Sequence, residues 1–243
     1  MFDISKVDNF IVTKEIDDLV NVISKKVVTK KYKKEISIPN LRKMSKIKLT
    51  EEQINLIKDE NADVSNLREI RIIKNAYDAY LLMNQINPYD YNQLFKVHSV
   101  FTNGLVVRSG LIRNSSVWVV RRKSRTVDYA PPAKEVESLL MSMFDWLNKN
   151  KDNYHPLVLS SLVHLMLVCI HPFFDGNGRL SRYWQSAILS KWNEYFLYNP
   201  IESHIKSNQI FYYNLIDKVN DENDCYPFVI GMLKIINSML DSN

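Results

Sequence analysis

His171-Pro172-Phe173-Phe174-Asp175-Gly176-Asn177-Gly178-Arg179-Leu180-Ser181-Arg182 stands between an apolar run, Leu157 to Ile170, and a second segment of helical pattern. The order reads as helix, tight polar loop, helix. Gly176 and Gly178 can take backbone angles closed to other residues, which lets the loop fold its N–H groups around a small anion. A helix starting near Gly178 points unpaired N–H donors and the positive end of its dipole into the same space. Arg179 adds a planar cation, and Arg182, three residues on, projects from nearly the same face. A phosphate chain is the guest this pattern predicts.

Two further residues turn the anion nest into a candidate reaction centre. Asp175 is a hard carboxylate beside the expected phosphates and suits Mg²⁺. His171, at the other lip of the loop, titrates near neutral pH in its unperturbed state and can accept a proton from an attacking hydroxyl. Base, metal ligand, nest and two arginines in one loop point to transfer from a nucleotide to a hydroxyl.

The stretch resembles the signature of the Fic family (filamentation induced by cAMP), His-x-Phe-x-Asp-Gly-Asn-Gly-Arg-x-x-Arg, with every defined position filled. The flanking sequence is similar over roughly residues 65 to 240. The resemblance implies a mainly α fold, a helical bundle with a short β-hairpin flap that holds a target segment by strand addition. Arg113 and Val117, Trp118, Val119 and Val120 would belong to that flap. It also implies a protein adenylyltransferase, moving AMP from ATP onto a Tyr, Ser or Thr hydroxyl of a protein target. His171 would be the general base and Asp175 the Mg²⁺ ligand. Gly176, Asn177, Gly178, Arg179 and Arg182 would hold the phosphates, the arginines those at the β and γ positions.

Composition narrows the class. The chain has 243 residues, 46% hydrophobic and 24% charged, enough for one domain with a modest extension. We divide it into a basic N-terminal helical extension, 1–64, and a catalytic core, 65–243. The net charge of +5 is mild, and no compact nucleic-acid motif accompanies it, so nucleic acid is not the expected partner. Cys169 and Cys225 lack metal-ligand spacing and give no disulfide framework, which agrees with a reducing cytoplasm. No signal peptide or membrane-spanning run is legible, so a cytoplasmic location is expected unless another system exports the protein.

Outside the signature, Val7 to Val28 has a loose helical period. Lys25 to Lys48 is basic, either a dock for an acidic partner or a solvated connector interrupted by Pro39. Thr50 and Gln53 read as a capping box. Ser65 reads as the cap of a longer helix striped with Leu67, Ile70, Ile73, Ala76, Tyr77, Tyr80 and Leu81. Helices are also expected over Tyr91–Phe101, Ala133–Asn148, the region after Pro200, and Tyr226–Leu240. His164, inside the apolar run, reads as a hydrogen-bonded core histidine. Phe173 reads as an inward plug. Asp175 could also cap the second helix. Tyr212 and Tyr213 are open between core and nucleotide contacts.

Many Fic proteins carry an inhibitory helix, Ser/Thr-x-x-x-Glu-Gly/Asn, whose glutamate pairs with the second signature arginine. The corresponding segment here, Leu41 to Lys46, does not match; Ser65 to Glu69 fits only in spacing, and Glu35 only with a shift. Intramolecular inhibition through Arg182 is therefore expected to be weak or absent, which leaves room for a separate inhibitory partner or for self-modification. Alternatives are another nucleotide or a phosphocholine donor, removal of AMP, and a nucleotide-binding regulatory module.

Overall fold

The structure, a computed structural model, describes residues 3–37, 48–120 and 127–241. Its centre is a pair of helices, α6 (Pro156–Ile170) and α7 (Asn177–Trp192). Pro156 occupies the first turn of α6, where a missing N–H costs nothing, and the His155 ring accepts the Leu157 N–H at 3.2 Å. The helix is apolar on every face, so it must be surrounded: Leu159, Leu162, Val163, Leu165 and Ile170 are all fully buried. α7 lies against it along its length, burying Leu180, Tyr183, Trp184, Ala187 and Ile188.

The remaining helices enclose this pair. α3 (Arg68–Leu82) packs on α4 (Tyr91–Thr102), and α4 packs in turn on α7. α5 (Ala133–Asn150) covers a second side of α6, and the Trp184 indole N–H reaches the Pro88 carbonyl at 3.1 Å. On the far side lie the short α8 (Tyr195–Tyr198) and α9 (Glu202–Ser207), followed by α10 (Gln209–Glu222) and α11 (Tyr226–Asp241). The first helix, α1 (Lys14–Thr29), packs on α11 through Ile16, Val20, Ile23 and Val27, so the N-terminal segment joins the same hydrophobic core.

Part of the basic segment is used internally. Lys26 donates to Asn237 and Asp241, and Lys30 donates to the Leu240 carbonyl at 2.7 Å, all at the C-terminal end of α11 where unpaired carbonyls attract cations. Tyr32 and Lys34 share the Glu194 carboxylate. Pro39 and Leu41 to Lys46 lie outside the described residues.

Local readings mostly survive, with one correction. α2 (Glu51–Lys58) opens on the Thr50–Gln53 capping box, with both reciprocal bonds formed. Ser65 does not cap α3: its N–H is taken by Asp63 in a turn, and the helix starts at Arg68 with no side-chain cap. The carboxylate two residues earlier competes better for that backbone than the hydroxyl does for a helix start. Two three-residue strands, β1 (Trp118–Val120) and β2 (Val127–Tyr129), pair antiparallel with Trp118 opposite Tyr129. Residues 121–126 between them lie outside the described residues.

Because α6 has no solvent face, truncation in its middle leaves a cavity that the neighbours cannot close. Leu162→Ala is expected to cost roughly 2–5 kcal/mol in urea unfolding, and a cost under about 1 kcal/mol would show that this helix is not tightly enclosed.

Candidate active site

The signature loop forms where α6 stops and α7 starts. His171 ends α6 in the left-handed region (φ 50°, ψ 60°), and Gly176 precedes α7 at φ 87°. A left-handed histidine is costly unless its surroundings hold it. Arg113 is that holder. Fully buried, it donates from Nε to the His171 carbonyl at 2.8 Å, and from its Nη groups to the Ser115 and Pro131 carbonyls. Its backbone N–H bonds the Pro172 carbonyl at 3.0 Å. One guanidinium therefore ties the end of α6 to the segment before β1 and to the entry of α5. By resemblance Arg113 belongs to a target-docking flap; its place is beneath that hairpin, as a staple. Trp118 is two-thirds exposed at the start of β1.

His171 itself is half-buried. Burial, with the nearby Arg113 charge adding to it, lowers its pKa to about 4, although a backbone bond with Val168 works the other way. The imidazole is thus neutral across the physiological range, the form in which it can take a proton.

The floor of the loop is set by a residue that no motif singles out. His98, on α4, accepts the Gly110 N–H at Nδ1 (2.9 Å), which fixes its proton on Nε2 and makes that atom donor to the Asp175 carbonyl (2.9 Å). Its ring stacks on Phe173 at 3.6 Å between centroids and 8° between planes. Desolvation lowers its pKa to about 4 and keeps it neutral. Phe173, 0% exposed, is the expected inward plug. A Cβ on Gly176 would stand 3.0 Å from the Thr102 methyl and 3.2 Å from His98 Nε2, so the loop has room for glycine only.

Asn177, expected to hold phosphate, bonds the loop's own backbone here. Its Oδ1 accepts the Phe173 N–H at 2.9 Å and its Nδ2 donates to the Phe173 carbonyl at 2.7 Å, with the side chain buried, so its amide closes the loop. Gly178 begins the first turn of α7, and the place where its Cβ would sit is 3.1 Å from Arg182 Nη1. Asp175 accepts the Gly176 N–H at 2.6 Å and keeps a 57% exposed side chain, so it caps the turn and still faces solvent. Arg179 donates to the Phe101 carbonyl at 3.2 Å and lies 3.9 Å from Asp175.

Arg182 has a partner that sequence reading treated only as part of a helix start. Its Nε donates to Glu202 Oε2 at 2.6 Å, the two side chains being 16% and 5% exposed. Burial opposes the arginine's charge, but the glutamate outweighs it and holds its pKa above the ordinary value. A recess of about 170 Å³ opens beside the pair, lined by Arg182, Glu202, Lys206, Gln209, Tyr212 and Tyr213. Of the candidate inhibitory glutamates, Glu35 pairs with Lys58 at 3.6 Å, and Glu69 lies in the first turn of α3.

Among the described residues no cluster of three or more metal-binding side chains occurs. Asp175 alone fits a cation whose other ligands are phosphate and water, the usual habit of Mg²⁺. The site thus has one neutral base, one solvent-facing carboxylate, a helix N-terminus opened by glycines, and two arginines.

Three outcomes follow for the site's scaffold. Arg113→Met orphans at least three carbonyls and is expected to lower stability by about 2–4 kcal/mol in chemical denaturation. Gly176→Ala is expected to cost about 1–2 kcal/mol in chemical denaturation through strain at positive φ. The third concerns pH. Buried His98 (about 4) and His164 (about 3) have folded pKa values below the ordinary 6.5. The unfolded chain therefore binds protons first as pH falls. Stability is full above about pH 6.5 and drops toward pH 4, by roughly 1–2 kcal/mol per histidine between pH 7 and 5. Urea midpoints at those two pH values check it.

The family model described as Fic/DOC matches residues 88–189. A "Protein adenylyltransferase Fic" of Drosophila grimshawi is 37% identical over 115 residues, 46% of this chain and 23% of that protein. One of Nematostella vectensis is 30% identical over 164 residues, 66% of this chain and 35% of that protein. The chain thus spans about a quarter to a third of these curated relatives. A crystal structure of a Fic family protein from Desulfovibrio desulfuricans superposes with a TM-score of 0.81 at 30% identity, covering 96% of this chain and 74% of that one. With the fold, the filled signature and likeness over most of both chains in agreement, this chain belongs to the Fic family.

Proposed function

We propose that the protein is an adenylyltransferase that moves AMP from ATP to a Tyr, Ser or Thr hydroxyl of a target protein. The observation that carries this reading is His171. It is a neutral imidazole, held in a left-handed turn at the mouth of an anion-binding helix start, with a solvent-facing carboxylate and two arginines around it. Relatives of the same family over part of this length are named protein adenylyltransferases.

The chemistry balances on these residues. The target hydroxyl oxygen attacks the α-phosphorus and forms the new O–P bond. The bond from that phosphorus to the bridging oxygen of the β-phosphate breaks, and pyrophosphate leaves with the bond's electron pair. His171 takes the hydroxyl proton. The N–H groups at the start of α7 and the side chains of Arg179 and Arg182 hold the phosphates and stabilise the charge that develops on them. Asp175 would hold Mg²⁺, which when bound neutralises phosphate charge and fixes the pose of the leaving group. Arg179 reaches this role by swinging from the Phe101 carbonyl, a single 3.2 Å bond. The hairpin of β1 and β2 would present the target by strand pairing, with main-chain bonds setting position and little side-chain selection. IbpAFic2, which shares the fold, has been crystallised covalently tethered to Cdc42.

The test is mass spectrometry of lysate proteins and of the enzyme itself after incubation with Mg²⁺ and ATP. An AMP-sized mass gain that disappears in His171→Ala, with folding intact, supports the reading. Tight ATP binding with no modification, unchanged by that substitution, would favour a nucleotide-binding module. A modification with another donor and none with ATP would change the group transferred. With a transferring enzyme in hand, the acid limb of kcat/KM against pH is expected well below 6.5, near the depressed pKa of about 4 for His171. An acid limb near 6.5 would mean that the ring is not held as this structure holds it.

A further inference from the structure

Arg182 sits at the end of a hydrogen-bond chain whose every donor is determined. Ser161 gives its proton to the Leu157 carbonyl at 2.8 Å, so its oxygen accepts from Gln185 Nε2 at 3.2 Å. That orientation turns Gln185 Oε1 to His164 Nδ1 at 2.6 Å, and an amide oxygen only accepts, so Nδ1 carries the ring proton. His164 Nε2 is then an acceptor and takes the Tyr212 hydroxyl proton at 2.9 Å. The Tyr212 oxygen is left with its lone pairs beside Arg182, which lines the same recess. Ser161, His164 and Gln185 are 0% exposed and Tyr212 is 2% exposed, so water cannot scramble the order. Neutral His164 fits the chain, since desolvation puts its pKa at about 3.

Glu202 meets the same guanidinium on its Nε edge at 2.6 Å. It stands at the start of α9, a helix packed against both α7 and α11, so its backbone is held by the bundle. The guanidinium lies over Gly178 in the first turn of α7. A free guanidinium has several rotatable bonds to immobilise on binding; one held by a short, buried ion pair has already lost part of that freedom.

We propose that Glu202 is a positioning residue: with Tyr212 it holds Arg182 ready for the terminal phosphates of the donor, and so makes the site select nucleoside triphosphates over donors lacking them. This rests on the nucleotide-transfer reading of the site.

The test is calorimetric binding of ATP, ADP and AMP with Mg²⁺ to the full chain, comparing wild type, Glu202→Gln and Tyr212→Phe, with thermal midpoints in parallel. Glu202→Gln keeps the volume and an acceptor but removes the charge that orients the arginine. The expected result is a loss of about tenfold or more in ATP affinity with AMP affinity nearly unchanged, and a smaller loss of the same selective kind in Tyr212→Phe. Equal weakening of ATP and AMP would make both residues merely structural and overturn the proposal. Tighter ATP binding or faster transfer in Glu202→Gln would overturn it by showing a brake. Wild type that binds ATP no better than AMP would overturn it too. Should Glu202→Gln not fold, Tyr212→Phe decides by the same ratio. Wild type that binds ATP selectively but transfers no AMP would sink the transfer reading alone, and the binding ratios would still decide what Glu202 does.

Discussion

The structure depends on one junction, the left-handed turn by which α6 gives way to the loop of α7. An apolar helix with no solvent face delivers His171 to the rim of the core, and the chain must reverse there without exposing the carbonyls of the last turn. Arg113 resolves that conflict. Its guanidinium collects the carbonyls of His171, Ser115 and Pro131 around one buried charge, at the helix end where a cation is favoured. The same contacts join the hairpin's base and the start of α5 to the signature loop. A residue expected to belong to the flap thus builds the wall against which His171 is set.

On the loop's other side, His98 and Asn177 use their hydrogen bonds on backbone. His98 links Gly110 to Asp175, and Asn177 closes on Phe173. Both are side chains whose chemistry suits a reaction, but here they shape the loop. Burial explains the division. Polar groups in the interior need partners, and the nearest partners are the loop's own N–H and carbonyl groups. What remains open to a ligand is the set that is half-buried or exposed: His171, Asp175, Arg179 and Arg182.

The two signature arginines, three residues apart, differ in how firmly they are held. Arg179 leans on a single carbonyl and a distant carboxylate. Arg182 is fixed by Glu202, and beside it stands Tyr212, the last link of a chain running into the centre of α6. His164, buried in that helix, uses both ring nitrogens in the chain.

Much of this was legible in the sequence. The all-apolar run of α6 predicted a central helix because no face of it could meet water. Gly176 and Gly178 predicted a tight turn before a second helix because their backbone freedom suits little else there. The Thr50 cap and the helices of α4, α5 and α11 followed from local periodicity. What the sequence could not determine were the partnerships between residues far apart in the chain. Arg113 with His171, His98 with Asp175 and Glu202 with Arg182 lie 58, 77 and 20 positions apart, and no local pattern pairs them. Only packing brings them within hydrogen-bond reach, since those contacts exist because α4, α7 and α9 share one core.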